Sequence, residues 1–420
     1  MVLDAVQFIL GLGPTVMLPI VITIIGMAFG QGFKKAFRSG VTIGVGFVGI
    51  NLVIGLLTSN LGDATHQMVT RYGLALNIID VGWPAAAAMT WASPVAAIMI
   101  PIGMVVNIAM LVTKTTNVVD IDIWNYWHFA AAAATVFVLT EGNWGLAILA
   151  GAIYEVAVLK IADWTSPIVR DYFGMEGLSF PTGSTCAQGL IGIPIVKVIA
   201  KIPGIRNLQA DPDAIQKRFG IFGEPLMMGL ILGILLGLLA GYPLGKILQL
   251  GVIMAGVMFL MPRMVKILME GLIPISESAK AYLQKKDFGK DRELTIGLDA
   301  AVAVGHPAVI ATALVLVPCT LFLSVVIPGN NVLPFGDLAT ICFYVAFIVG
   351  AAKGNIVHSV LAGIVVMGLA LLMATNIAQF HTSMAVAANF QMPANTTMIS
   401  SLDLGGNFLN WIVIKIFQLI

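Results

Sequence analysis

The chain has 420 residues, of which 59% are apolar and only 10% charged. Soluble domains carry roughly 25% charged residues, so this composition cannot cover a water-facing surface, and it excludes a soluble enzyme, a DNA-binding protein and a disordered scaffold. The net charge of +1 says little, but its placement says more, because 15 of the 22 Lys and Arg fall in three clusters.

Apolar runs of the kind that cross a bilayer begin near residues 8–30 and 41–58, separated by the first basic cluster, Lys34, Lys35 and Arg38. Basic loops lie on the cytoplasmic side, which places the amino terminus outside. Only Asp4 precedes the first run, so a cleaved signal peptide is not expected there. Further runs follow at 86–112 and at 128–162, the second interrupted by Glu141, Gly142, Asn143 and Trp144 and therefore expected as two segments. The run 184–196 is shorter than the ~20 residues of a span and suits a re-entrant hairpin.

Two longer polar connections, 197–222 and 262–296, hold the other basic clusters: Lys197, Lys201, Arg206, Lys217 and Arg218, then Arg263, Lys266, Lys280, Lys285, Lys286, Lys290 and Arg292. Amphipathic helices at the cytoplasmic face are expected in both. The remaining runs are 223–240, 246–261, 298–327, 337–352, 354–375 and 403–420.

The run at 8–30 enters from outside, whereas the run at 223–240 starts inside, after a basic cluster. Two halves offset by roughly 210 residues and inserted in opposite senses mark an inverted-repeat transporter. The expected fold is an all-α polytopic membrane protein of about five spans per half. Residues 1–220, with their cytoplasmic loop, form the first repeat and 221–420 the second.

Charged groups at lipid depth are costly, so each is a candidate for a substrate or ion pathway. Asp299 opens a segment of small residues, and a helical spacing of seven puts His306 on its face, with Pro307 freeing backbone groups behind it. The stretch Asp120 to His128 mixes carboxylates, an amide and an imidazole with aromatic rings. Rings stack on the C–H face of a sugar or polyol while polar groups take its hydroxyls, and Asn125 and His128 are the preferred ligands. Trp and Tyr also gather at membrane interfaces without any ligand. Thr182, Ser184 and Gln188 lie in a proline- and glycine-broken stretch, and irregular backbone at membrane depth survives only where it lines a cavity or is buried in protein. Asn330 and Asp337 fall in a second such stretch, from Pro328 to Asp337. Glu224 stands at a helix start, where the helix dipole alone favours an acid.

Glycines at 229, 233, 237 and 241 form one smooth helix face for close packing, within the chain or across a dimer. Cys186, Cys319 and Cys342 have neither metal spacing nor a plausible disulfide. No P-loop, nucleotide fingerprint, metal-binding His pair or nucleophile elbow is present, so no cofactor or metal is expected and energy must come from an ion gradient or a partner protein.

The segments GLGPTVMLPIVI (11–22), GVGFVGINLVIGL (44–56), IDVGWPAAAAMTWAS (79–93) and VVDIDIWNYWH (118–128) resemble the galactitol-type enzyme IIC family of the bacterial phosphoenolpyruvate-dependent sugar phosphotransferase system. So do FGEPLMMG (222–229), IGLDAAVAVGHPAV (296–309) and VIPGNNVLPFGDLATI (326–341). The resemblance implies the ascorbate/galactitol-superfamily fold: a homodimer in the bacterial cytoplasmic membrane, with a core domain of two re-entrant hairpins moving against a dimerising scaffold as an elevator. It implies a polyol substrate, a phosphocysteine-carrying enzyme IIB as phosphoryl donor, and enzyme IIA behind it. It also implies a pocket drawn from Asn125, His128, Thr182 to Gln188, Asp299, His306 and Asn330 to Asp337. Thr182 stands where the family pattern has a histidine, and the pattern continues beyond Ile420 with a helix and a basic tail. Two other functions fit the residues: an ion-coupled secondary transporter using Asp299 and Glu224, and a membrane assembly protein without a substrate.

Overall fold

The computed structural model describes residues 14–28, 30–72, 78–120, 122–210, 225–285, 292–334, 336–387 and 398–420. The chain is mostly helical. Its first half runs α1 (Pro14–Ala28), α2 (Phe33–Tyr72), β1 (Ile78–Asp80), α3 (Gly82–Ala92), α4 (Ala96–Val112), β2 (Val118–Asp120), α5 (Ile123–Leu139), α6 (Trp144–Asp171), β3 (Leu178–Ser179) and α7 (Gly183–Ile199). The second half repeats that order: α8 (Pro225–Ala240), α9 (Leu244–Lys285), β4 (Thr295–Gly297), α10 (Ala301–Val304), α11 (Pro307–Val326), β5 (Val332–Leu333), α12 (Ile341–Ala351), α13 (Ile356–Ala387), β6 (Met398–Ser400) and α14 (Phe408–Phe417), with one 3₁₀ turn at Leu338–Thr340 before α12.

Among the described residues, α6, α11 and α13 are long and apolar enough to cross a membrane, by length and composition. The interrupted run 128–162 divides as expected, since Asn143 caps α6 by accepting the Leu146 N–H at 3.1 Å. Two other runs also divide. Residues 86–112 part at Ser93–Pro94 into α3 and α4, and 298–327 parts at Gly305 into α10 and α11. The amphipathic helix expected in 262–296 is absent as a separate element over 262–285, because α9 continues unbroken through it. At 1.5 Å per residue its 42 residues reach about 63 Å, twice the hydrocarbon thickness. In 197–222, α7 ends at Ile199 and turns follow to Asn207, while residues 211–224 lie outside the described residues.

Helices α1, α2, α8 and α9 pack mainly on one another, and the rest gather around two small sheets. The glycine stripe serves the first group from within the chain. A Cβ on Gly229 would stand 2.5 Å from the Met254 carbonyl oxygen, and one on Gly233 2.6 Å from that of Leu250, so α8 lies directly on the α9 backbone. Gly241 leaves this face and makes the turn at φ +72°.

Among the described residues, six strands, which an all-α expectation leaves out, tie the halves together. Parallel order β5-β1-β6 pairs Ile78 with both Val332 and Met398, and order β2-β4-β3 pairs Ile296 with both Val119 and Leu178. In each sheet the central strand comes from one half and both flanking strands from the other. Carboxylates finish the first sheet. Asp80 accepts the Gly82 N–H at 3.1 Å and the Asp337 N–H at 2.8 Å. Asp337 in turn accepts the Trp83 N–H at 2.6 Å, the Thr340 hydroxyl at 3.2 Å, the Ser401 hydroxyl at 2.6 Å and the Asp403 N–H at 3.0 Å. Gly82, at φ +79°, meets Gly336 backbone to backbone at this crossing.

Two stability outcomes follow, each read by thermal unfolding of the detergent-purified chain. Gly233→Leu forces α8 off α9 and costs at least the ~1–3 kcal/mol of overpacking. Asp337→Ala strands the Trp83 N–H and two hydroxyls and weakens the hold on the Asp403 N–H, at ~1–3 kcal/mol for each group left without a partner, and yields little folded protein. Unchanged melting in either variant contradicts the packing described.

Candidate functional site

The second sheet carries a comparable set of carboxylates, less completely used. Asp122 caps α5 by accepting the Trp124 N–H at 3.1 Å, and its other oxygen accepts the Asp299 N–H at 2.9 Å. Asp299, partly exposed, accepts the Ala301 N–H at 2.7 Å. Asp120 accepts one amide hydrogen of Asn125 at 2.8 Å, and its second oxygen is buried with no partner.

From Asn125 the network passes to α7. The Thr182 hydroxyl donates to Asn125 Oδ1 at 3.2 Å and accepts the Ala300 N–H at 2.7 Å, so one residue joins three segments. Gly183 follows, and a Cβ there would stand 2.5 Å from the His128 ring and 2.6 Å from the Tyr154 hydroxyl. Glycine is what admits the chain at this point. Ser184, Thr185 and Gln188 are buried on the first two turns of α7. Gln188 donates to the Gly406 carbonyl at 2.6 Å, leaving its own oxygen and the Thr185 hydroxyl without partners. The α7 amino terminus, with its free N–H groups, opens on the same spot.

His128 lies 3.3 Å from a carboxylate oxygen of Asp403, which links this network to the first sheet through Asp337. Neither ring nitrogen of His128 makes a hydrogen bond. The Tyr154 hydroxyl, one Asp403 oxygen and the Asn407 amide nitrogen are likewise buried and unpartnered. Buried polar groups are ordinarily satisfied, so this concentration at the meeting of α5, α6, α7 and the β6–α14 turn marks a polar site. Among the described residues no Lys or Arg pairs with Asp120, Asp122, Asp299, Asp337 or Asp403.

Asn125, His128, Thr182, Ser184 and Gln188 therefore come together, with Asp299 at the edge through Asp122 and Ala300. The others sit apart. His306 does not share a helical face with Asp299, because Gly305 ends α10 between them. It caps α11, accepting the Ala308 N–H at 3.2 Å, with its ring against Tyr172 and Phe173. Asn330 spends its amide on a turn, donating to Ser324 and Val332 carbonyls and accepting the Val332 N–H and the Thr375 hydroxyl. Asp337 is occupied as described above, and Glu224 lies outside the described residues. Cys186 is a buried thiol directed at the Phe180 carbonyl, 3.2 Å away.

The sequence does not single out Tyr154, Asp403 or Asn407. Tyr154 lies inside an unremarkable span, and the run 403–420 reads as another. The signal available was Ser400-Ser401-Leu402-Asp403-Leu404-Gly405-Gly406-Asn407, a polar, glycine-bearing stretch like that at Thr182.

A family model for the PTS system sugar-specific permease component, EIIC-GAT, matches residues 8–395. The chain is 42% identical over 415 residues, 99% of its length and 91% of the relative's, to the "PTS system galactitol-specific EIIC component" of Escherichia coli (strain K12). The protein of the same description from Escherichia coli O157:H7 is equally similar. A "Putative permease IIC component" of Escherichia coli (strain K12) is 37% identical over 413 residues, 98% of this chain and 94% of that one. With a match of this extent at both levels, the chain belongs to the EIIC-GAT family of sugar-specific permease components of the phosphotransferase system.

Proposed function

We propose that this chain is the multi-pass, inner-membrane IIC subunit that brings a polyol, galactitol first among them, across the bacterial membrane, and that the polyol is phosphorylated there by a phosphocysteine of enzyme IIB, itself charged by enzyme IIA. The observation that carries this reading is 42% identity, over 99% of the chain, to a galactitol-specific EIIC component. The buried cluster supports it chemically, since hydroxyls, amides, an imidazole and carboxylates match a neutral, hydroxyl-rich ligand. Asn125, His128, Thr182, Ser184 and Gln188 contact the substrate and Asp299 borders it. His306, Asn330 and Asp337 hold the surrounding frame.

Two halves, 1–220 and 221–420, form an inverted repeat, a reading favoured by the recurring element order and by the exchange of strands between the two sheets. The stretches Thr182 to Gln188 and Asn330 to Asp337 are the two re-entrant hairpins. Helices α1, α2, α8 and α9 are the scaffold on which a homodimer forms, and the sheet-centred group is the core that moves as an elevator. Exposed Val41, Val45, Val48, Leu52 and Leu56 along α2 suit that scaffold's contact with lipid or a second copy.

Uptake of labelled galactitol into cells carrying this chain, with and without IIB and IIA, tests the reading. Phosphorylated polyol inside only when the partners are present is the expected result. Accumulated free polyol, abolished by a protonophore, would overturn it in favour of ion coupling. In the same cells Thr182→Val, which removes the hydroxyl between Asn125 and Ala300, lowers uptake about 10- to 100-fold, the size of one or two lost buried hydrogen bonds. Normal uptake by Thr182→Val would remove the α7 amino terminus from the site.

A further inference from the structure

The turn between β6 and α14 holds two buried polar side chains, Asp403 and Asn407, beside the Tyr154 hydroxyl of α6. The Asp403 N–H donates to Asp337 at 3.0 Å and to the Ser401 hydroxyl at 3.1 Å, which pins its backbone. Its side chain, 3% exposed, spends one oxygen facing His128 and leaves the other without a partner. Asn407 accepts the Asn410 N–H at 3.1 Å as the cap of α14, which decides how its amide faces and leaves its NH₂ group, fully buried, unpartnered. The Tyr154 hydroxyl, on a residue 1% exposed, lies beside the Asn407 amide, with no hydrogen bond of good geometry closed between them.

These atoms differ in what they can do. A carboxylate oxygen only accepts, an amide NH₂ only donates, and a phenol does either. A metal cation would need acceptors throughout, and an anion donors throughout. An alcohol hydroxyl donates one hydrogen and accepts others, so it matches the mixed set. Gly183 lets the α7 backbone lie directly against these groups, because a Cβ there would fall on His128 and the Tyr154 hydroxyl.

We propose that Asp403 recognises the substrate directly, its unpartnered oxygen accepting the hydrogen of one polyol hydroxyl while Asn407 and Tyr154 serve the same hydroxyl or its neighbour. The proposal rests on the polyol reading of the site. It makes the pocket a joint product of both halves of the chain, and it extends the pocket past residue 395, where the family match ends.

The test is calorimetric binding of galactitol and its 1-, 2- and 3-deoxy derivatives to the purified chain in lipid nanodiscs, with thermal unfolding as a check on folding. In the unmodified chain, at least one deoxy derivative binds about 10- to 100-fold more weakly than galactitol, the range for a hydrogen bond to a charged group. In Asp403→Asn, galactitol itself weakens by a similar factor, and for that derivative the further penalty collapses toward onefold. If every deoxy penalty survives in Asp403→Asn, even with weaker overall binding, Asp403 is only a structural partner of His128 and the proposal is overturned. Should Asp403→Asn unfold, Tyr154→Phe, which keeps the shape and removes one hydroxyl, is read the same way: a shrunken penalty supports the shared hydroxyl site and unchanged penalties overturn it. Absence of galactitol binding by the unmodified chain would instead bring down the polyol reading, and the proposal with it.

Discussion

The structure depends on satisfying backbone groups wherever a helix stops inside an apolar protein. A bilayer offers no water to a free N–H or C=O, so a chain that breaks its helices at depth must supply partners of its own. Here the partners are strands of two or three residues and the carboxylates at their ends. Asp80 and Asp337 hold one crossing of the chain, and Asp122 with Asp299 holds the other. The acidic residues of this apolar chain therefore have a structural duty before any functional one.

The two crossings differ in a way that separates frame from site. Around Asp337 the carboxylate oxygens are saturated by two backbone N–H groups and two hydroxyls. Around Asp120 one oxygen is left over, and beyond Asn125 and Thr182 the number of unpartnered polar atoms rises. Saturation buys rigidity, and a partly satisfied network is a standing cost unless something else completes it. Residues of similar chemistry at equivalent strand ends thus do different work, and only their remaining hydrogen-bonding capacity tells them apart.

Much of this was legible in the sequence, for identifiable reasons. Composition and basic clusters report on solvent, and the break at Glu141 to Trp144 carries its own cap, so membrane class and helix division follow from local signals. Asn125, His128, Thr182 and Gln188 stood out because polar groups beside glycine or proline are rare at depth. The strands did not, because two or three residues cannot show a period of two, and their pairing joins Ile78 to residues 332 and 398. The spacing of seven between Asp299 and His306 assumed one helix, and Gly305 ends it. Asp403 stayed hidden because the apolar residues after it read as a span, and its neighbour His128 is 275 positions away.

That separation is itself informative about how such a site can move. A pocket whose walls come from α5, α6 and α7 on one side and the β6–α14 turn on the other is held by both halves: Gln188 donates to the Gly406 carbonyl, and His128 lies 3.3 Å from an Asp403 oxygen. Opening the pocket by parting its walls would strand these buried groups at once, each at ~1–3 kcal/mol. Moving the whole sheet-centred group against α1, α2, α8 and α9 leaves all of them intact and exchanges mainly apolar contacts, whose strength varies little with small displacements. The elevator movement proposed above would thus keep the buried polar network whole, and a movement that parts the walls would break it.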